Sequence, residues 1–257
     1  MSIPKIIHYC WFGGNPKPKL VQKCIRSWKK YCPDYKIVEW NESNFDVNII
    51  PYCREAYHAK KWAFVSDYAR LFIIHKYGGI YMDTDVELIK PLDQLLDLDC
   101  FLGFQHEKYV NNGLILGAVN GNSFVKKNAE IYERLIFEPH IDSNHFVVCQ
   151  EYTTNLLANM GLTIPDTGAL QIVDNVTIFP SEYFCPYDHR TFKLSVTANT
   201  YAIHHFASSW WDSKRKKEYY DLKRKVTLDY YFHLPHRIGR KLLGNTVYER
   251  IKKQIKR

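Results

Sequence analysis

Two carboxylates one residue apart, Asp83 and Asp85, close the run Gly78-Gly79-Ile80-Tyr81-Met82-Asp83-Thr84-Asp85, in which a helical segment stops at paired glycines and a short apolar stretch follows. Dense negative charge at the end of a buried strand is costly unless something positive faces it. A hard divalent cation meets that need, because oxygen ligands suit Mg2+ or Mn2+ and such ions keep coordination positions open for substrate phosphates. The pair therefore points to a bound nucleoside diphosphate. A turn carrying two solvated aspartates has the same local sequence, so the surroundings must decide.

Those surroundings hold further groups able to do chemistry. Trp62, Val65, Ala69, Phe72 and Ile73 return at helical spacing, which predicts a helix from Ala59 to Tyr77 ended by glycine. On it Asp67 and Arg70 share a face, either as an intrahelical ion pair or aimed together at the strand tip. Trp11, ahead of Gly13-Gly14 at the tip of the first strand-like run, is either a core tryptophan or a platform for a nucleobase, and such stacking is worth about 1–3 kcal/mol. Tyr81 either fills the core or offers its phenol to a ligand. Far along the chain, Tyr201-Ala202-Ile203-His204-His205-Phe206-Ala207-Ser208-Ser209-Trp210 alternates like a strand and then turns, which sends His204 and His205 to opposite faces. His8 reads as a satisfied core histidine.

Taken together, Ser66-Asp67-Tyr68-Ala69-Arg70, the Gly78–Asp85 string and the opening Ile3-Pro4-Lys5-Ile6-Ile7-His8-Tyr9-Cys10-Trp11-Phe12-Gly13-Gly14 resemble the core of sugar-nucleotide glycosyltransferases that contain a DXD motif. More narrowly, the chain resembles glycosyltransferase family 32, which holds yeast initiating mannosyltransferases and bacterial capsule and exopolysaccharide enzymes, with the glucosylating clostridial toxins as distant relatives. The resemblance covers roughly the first half and returns near His204 to Trp210, and three separated motifs in order make it specific. It implies a GT-A fold, Mn2+ or Mg2+, a nucleotide-sugar donor and retention of anomeric configuration. It also implies roles: Asp85 as a direct metal ligand, Asp83 on ribose, sugar or the same metal through water, Asp67 on ribose or sugar hydroxyls, Arg70 on sugar or phosphate, and Trp11 on the base, which tilts the nucleotide toward UDP. By the family's His-x-x-x-x-Ser-Trp closure, His204 becomes the third ligand with Ser209 and Trp210 near the β-phosphate; a toxin-like spacing favours His205 with Ser208. Asp83 and Asp85, by holding the metal, and Arg70 then carry catalysis, with the metal, Arg70 and the Trp210 indole N–H neutralising the leaving diphosphate. No protein nucleophile is required. Glu87, Gln105, Asn111, Asn112 and Asp166 are lesser candidates for the acceptor side.

At 257 residues and 46% apolar content the chain can bury a full core without disulfides or a structural metal. Its seven cysteines are odd in number and form no Cys-x-x-Cys pair, which fits buried thiols in a reducing compartment. No run approaches the ~20 apolar residues of a membrane span, and no signal core opens the chain. The expected location is cytoplasmic, at most peripheral on the inner face of the membrane. The formal charge of +8 is uneven: residues 214–257 carry 15 basic and 4 acidic side chains, while residues 1–213 are net acidic. We therefore expect a catalytic domain over 1–213 and a basic tail over 214–257. Interleaved aromatics and aliphatics in that tail suit either amphipathic helices on an anionic membrane surface or a solvated helix packed on the domain. Nucleic acid fits less well, since no recognition motif accompanies the charge.

Strand-like runs at Lys5 to Cys10, Lys36 to Trp40, Gly79 to Met82, Phe101 to Phe104 and Leu114 to Val119 alternate with helical patterns at Lys19 to Lys30, Ala59 to Tyr77 and Ser123 to Ile136. That order predicts an α/β class, a mostly parallel sheet flanked by helices, with ligands beyond the carboxyl ends of its strands. Gln150 to Met160 reads as a helix and Val176 to Phe179 as a short strand. The expected activity is a metal-dependent retaining transfer of a hexose from a nucleotide sugar to a saccharide or lipid-linked oligosaccharide in surface polysaccharide synthesis. Two alternatives stand beside it: an Mg-dependent phosphohydrolase using Asp83 and Asp85, and a non-enzymatic basic protein that binds membrane or nucleic acid. The first wants Thr or Val where Glu87 stands.

Overall fold

A computed structural model of the protein describes residues 2–137, 149–188, 192–207 and 213–232, with short stretches at 238, 241–244 and 247–248. The chain divides into two units, one made of Met1–Asp188 with Leu194–Trp210, the other of His189–Lys193 with Trp211–Arg257.

The first unit is built on an eight-stranded sheet. β1 (Ile6–Cys10), β2 (Lys36–Trp40) and β3 (Gly79–Tyr81) run parallel, so Trp11, Asn41 and Met82-Asp83 emerge at one edge. β4 (Val86–Leu88) follows outside that sheet. β5 (Cys100–His106), β6 (Tyr109–Val110), β7 (Leu116–Ala118), β8 (Gln171–Val173) and β9 (Val176–Phe179) complete the order β2-β1-β3-β7-β5-β9-β8, with β6 paired to β5. The sheet is mixed rather than uniformly parallel. β7 runs antiparallel to both β3 and β5, while β5 and β9 return to the first direction. The reversal delivers the turn before β7 to the edge where β3 ends.

Helices cover both faces. α1 (Lys19–Tyr31) buries Val21, Cys24, Ser27 and Trp28 on one stripe, flanks it with the partly buried Leu20, Ile25 and Tyr31, and exposes its lysine-rich outer face. α2 (Pro51–His58), with proline at its first turn, has no counterpart among the helical patterns of the sequence. α3 (Trp62–Tyr77) starts three residues later than expected because Lys60 adopts a left-handed φ of 58°, which breaks the helix from α2. Nine residues of α3 are buried, Asp67 and Arg70 among them, so this helix is the covered centre of the unit. Gly79 follows with a φ of +102°, and a side chain there would press on the Ile6 carbonyl and the His8 ring; only glycine lets the strand start so close to β1. His8 itself is buried, accepting from Trp40 Nε1 at 3.0 Å and facing the Gly78 carbonyl at 3.0 Å.

α4 (Ser123–Glu133) is capped by Asn122, whose side chain accepts from the Val125 amide at 3.2 Å, and α5 (Cys149–Asn159) and α6 (Ser181–Phe184) complete the cover. A separate two-stranded ribbon joins β4 to a late strand, Ala202–His204, antiparallel, with His204 opposite Val86. All seven cysteines are free and buried.

In the second unit, α7 (Ser213–Phe232) carries Tyr220, Leu222, Leu228 and Phe232 each more than half exposed. Pro235, expected to separate two tail helices, lies outside the described residues. Among those described, no helix is long and apolar enough to cross a membrane.

Candidate active site

Everything chemical gathers at the edge where β3 ends. Arg70, 3% exposed, extends from α3 and places Nη2 3.3 Å from Asp83 Oδ1 and Nη1 3.0 Å from Asp67 Oδ1. Nη1 also donates to Asn112 Oδ1 at 2.9 Å and contacts the Cys149 thiol at 3.3 Å, and the guanidinium carbon lies 5.1 Å from the Tyr81 ring centre. A buried arginine between two acids follows from the sequence of α3: the helix is apolar around most of its circumference, so its two buried charged residues, Asp67 and Arg70, must satisfy each other and the motif. The Tyr81 hydroxyl donates to Asp83 Oδ1 at 3.0 Å. Burial pushes the Asp67 carboxyl up to about 6 against the pull of Arg70, and it raises Asp83 as well, again opposed by Arg70.

Gly113 closes this half. Its carbonyl accepts from the Asp83 amide at 2.8 Å, and a side chain there would collide with the Asp83 carboxylate and with Arg70 Nη1. The turn is held by Asn111, whose Oδ1 accepts from the Gly113 amide at 2.7 Å and whose Nδ2 donates to Gln105 Oε1 at 2.5 Å. Asn112 continues inward, donating to Thr153 Oγ1 at 2.9 Å, which also receives Asn128 Nδ2 at 3.0 Å. Sequence reasoning does not assign Asn112 as the partner of Arg70, nor Cys149 and Thr153 of α5 behind it. The signal present is the polar Asn-Asn-Gly run between apolar strands, a turn signature with no indication of its partner.

Asp85 belongs to a different neighbourhood. Its Oδ1 faces His204 Nε2 at 3.4 Å, its Oδ2 accepts from the Ala207 amide at 2.7 Å, and its carbonyl accepts from the His205 amide at 3.0 Å. Burial alone would raise its pKa; His204 and the Ala207 N–H outweigh that and hold it below the ordinary 3.8. His204 is lifted well above its usual value because Asp85 overrides the cost of burial. His205 turns away, with Nε2 2.8 Å from Glu87 Oε2.

Trp11 is half-buried at the tip of β1, its indole N–H donating to the Asn15 carbonyl at 2.7 Å and Lys17 Nζ 5.6 Å from its ring centre. Asp166 binds Ser181 through both its amide and its hydroxyl at 2.9 Å, so it fastens the start of α6. Ser209 and Trp210 lie outside the described residues. Among the described residues no three His, Cys, Asp or Glu side chains form a metal cage. The donor set nevertheless suits a hard cation: two carboxylates, one of which faces an imidazole nitrogen beyond good hydrogen-bonding distance, leave room for an ion that completes its shell with water and phosphate oxygens.

Residues 18–102 match the family described as glycosyltransferase sugar-binding region containing DXD motif, so over this stretch, which holds Asp67, Arg70, Asp83 and Asp85, the resemblance to DXD glycosyltransferases is borne out. Inositol phosphoceramide mannosyltransferase 3 of Schizosaccharomyces pombe is 29% identical over 143 residues, 54% of this chain and 40% of that protein. Human alpha-1,4-N-acetylglucosaminyltransferase is 46% identical over 56 residues, 21% of this chain and 15% of its own length. The chain thus spans less than half of these curated relatives. In structure it is similar to the PaToxG glycosyltransferase, with a TM-score of 0.50 at 19% identity over 62% of this chain and 69% of that one. The shared feature is the α/β GT-A fold.

Proposed function

We propose that this protein is a hexosyltransferase that moves a sugar from a nucleotide-sugar donor, UDP-linked by preference, to a saccharide or lipid-linked oligosaccharide, retaining anomeric configuration and using bound Mn2+ or Mg2+. The observation that carries the reading is that Asp83 pairs with buried Arg70 while Asp85, two residues on, faces His204, with both acids and the arginine inside the stretch that matches the DXD family. Asp83 and Asp85 are the residues that would hold a divalent cation, which would supply positive charge to the diphosphate. Departure of the nucleoside diphosphate builds negative charge on the bridging oxygen, and Arg70, preorganised by Asp67, Asn112 and Asp83, holds a fixed cation near it without reorganisation. Trp11 offers a ring face at the β1 tip for the base, and Ser209 and Trp210 are the proposed contacts to the β-phosphate. The acceptor hydroxyl attacks on the face from which the phosphate leaves, and the phosphate takes its proton.

The two relatives act on different sugars by their names, mannose and N-acetylglucosamine, so the hexose is open. A cytoplasmic enzyme working at the inner membrane face in surface polysaccharide synthesis fits the basic segment 214–257 and an amphiphilic acceptor. A thermal-shift screen of UDP- and GDP-sugars with Mn2+ tests the reading, since specific binding stabilises by mass action. We expect a shift for one nucleotide class that disappears in Asp85→Ala and without metal, followed by sugar transfer or slow donor hydrolysis. Turnover of a phosphomonoester with no response to any nucleotide sugar would overturn it in favour of a phosphohydrolase.

A further inference from the structure

Beside the acidic pair, two side chains from distant parts of the chain meet at the carboxylate of a third. Glu87 Oε2, in the middle of β4, accepts from Lys23 Nζ of α1 at 2.7 Å and lies 2.8 Å from His205 Nε2. α1 already grips β4 on both sides of this point. Trp28 Nε1 donates to the Val86 carbonyl at 2.8 Å and Ser27 Oγ accepts from the Leu88 amide at 2.9 Å, so Lys23, Ser27 and Trp28, one helical face, ride on β4 together. On its other edge β4 carries the late strand, with Ile203 opposite Glu87 and the ladder extended by the His205 amide on the Asp85 carbonyl.

The strand ends there, and the turn after it sets the surroundings of Asp85. The Ala207 amide on Asp85 Oδ2 comes two residues after His205, past Phe206 at a left-handed φ of 52°. A non-glycine residue in that conformation is disfavoured and persists only where its surroundings hold it there. The His205 ring is fixed on Glu87 by a diagonal cross-strand contact where the turn begins, and within the turn Phe206 packs its ring against His204 and Tyr187.

We propose that Glu87 is a positioning residue: through His205 it pins the 205–207 turn, and through Lys23 it ties that turn to α1, so that the Ala207 amide stays on Asp85 and the carboxylate keeps its aim. This rests on the metal and donor reading of Asp85 for its consequence, and on the three-way contact alone for its structural content.

Both parts are measurable separately. Hydrogen exchange of peptides covering 203–207 reports the pinning whatever the protein's activity. In Glu87→Ala we expect exchange there to rise about tenfold while peptides from α3 and β1 stay unchanged, and Lys23→Met and Glu87→Gln should give smaller rises in the same place. Titration of Mn2+ in the presence of the responding nucleotide sugar should need about tenfold more metal in Glu87→Ala, the size of effect usual for a partner one shell removed from a metal, with kcat falling less than the metal dependence shifts. Unchanged exchange at 203–207 in both Glu87→Gln and Lys23→Met, or exchange raised equally throughout the chain, would overturn the inference. An absent metal response in the wild-type protein would instead remove the glycosyltransferase reading, with the exchange result still deciding the role of Glu87.

Discussion

Asp83 and Asp85 are separated by one threonine and share a strand tip, yet the protein treats them differently. Asp83, its side chain about a third exposed at 32%, is held by Arg70 and Tyr81 with Gly113 packed against it, and desolvation raises its pKa; Asp85, the more buried of the two, is held by the late strand through His204 and the Ala207 amide, and its pKa is lowered. One half of the site is assembled from α3, β3 and the turn before β7, while the other waits for residues more than a hundred positions away. The difference teaches that a short acidic motif is two sites joined back to back: a rigid arginine cage and a clasp made by a remote segment.

The largest expected effect comes from removing the cage's cation. Arg70→Met leaves Asp67 buried and Asp83 partly buried without their partner and should cost roughly 3–5 kcal/mol in urea unfolding, because an uncompensated buried charge is heavily penalised. Arg70→Lys should restore only part of this, since an ammonium cannot serve Asp67, Asn112 and Asp83 at once as the guanidinium fork does. Next comes Gly113→Ala, where the added methyl must displace the Asp83 carboxylate or Arg70; we expect about 1–3 kcal/mol of destabilisation by the same measurement and loss of the nucleotide-dependent thermal shift.

The contrast between the acids is tested by pH, in metal-free protein, with opposite signs for the two. Because Asp85 is lowered in the folded state, its ionisation stabilises the fold above the unfolded value near 3.8, and that contribution is lost as pH falls through the folded pKa. Asp83 is raised, so the unfolded chain ionises first and the folded state loses stability as pH climbs above 3.8; Asp67 acts in the same sense up to about 6. Urea midpoints from pH 3 to 7 should therefore show Asp85→Asn flattening the rise in stability with pH and Asp83→Asn steepening it. Identical profiles would mean the two halves are electrostatically one. The smallest expected effect is Tyr81→Phe, which removes one hydroxyl from Asp83 at a cost of about 1 kcal/mol and should leave Asp85 chemistry in place, as read by the Mn2+ titration.

Much of the cage is legible in the sequence because its parts are close in the chain and periodic. The Val176–Phe179 strand and the α1 and α5 helices fall where apolar spacing puts them, to within one residue. Counting alone places Asp67 and Arg70 on one face of α3. α2 is illegible because eight residues give too short a pattern, and the boundary at Lys60 depends on a backbone angle that no side-chain period reveals. The reversal of β7 and the partnering of β4 with Ala202–His204 are choices of non-local pairing, which alternation of apolar residues does not encode. For the same reason Asn112 can be seen as a turn residue but not as the acceptor for Arg70.

The off-sheet ribbon has a consequence for synthesis. Every strand of the main sheet is present once the chain has been made as far as Phe179, yet His204 and the Ala207 amide are still to come. A nascent chain at that stage can hold its sheet while Asp85 lacks both the imidazole and the amide that set its ionisation. The clasp around Asp85 is completed late, by a closure between distant stretches of polypeptide, and such long-range contacts form slowly.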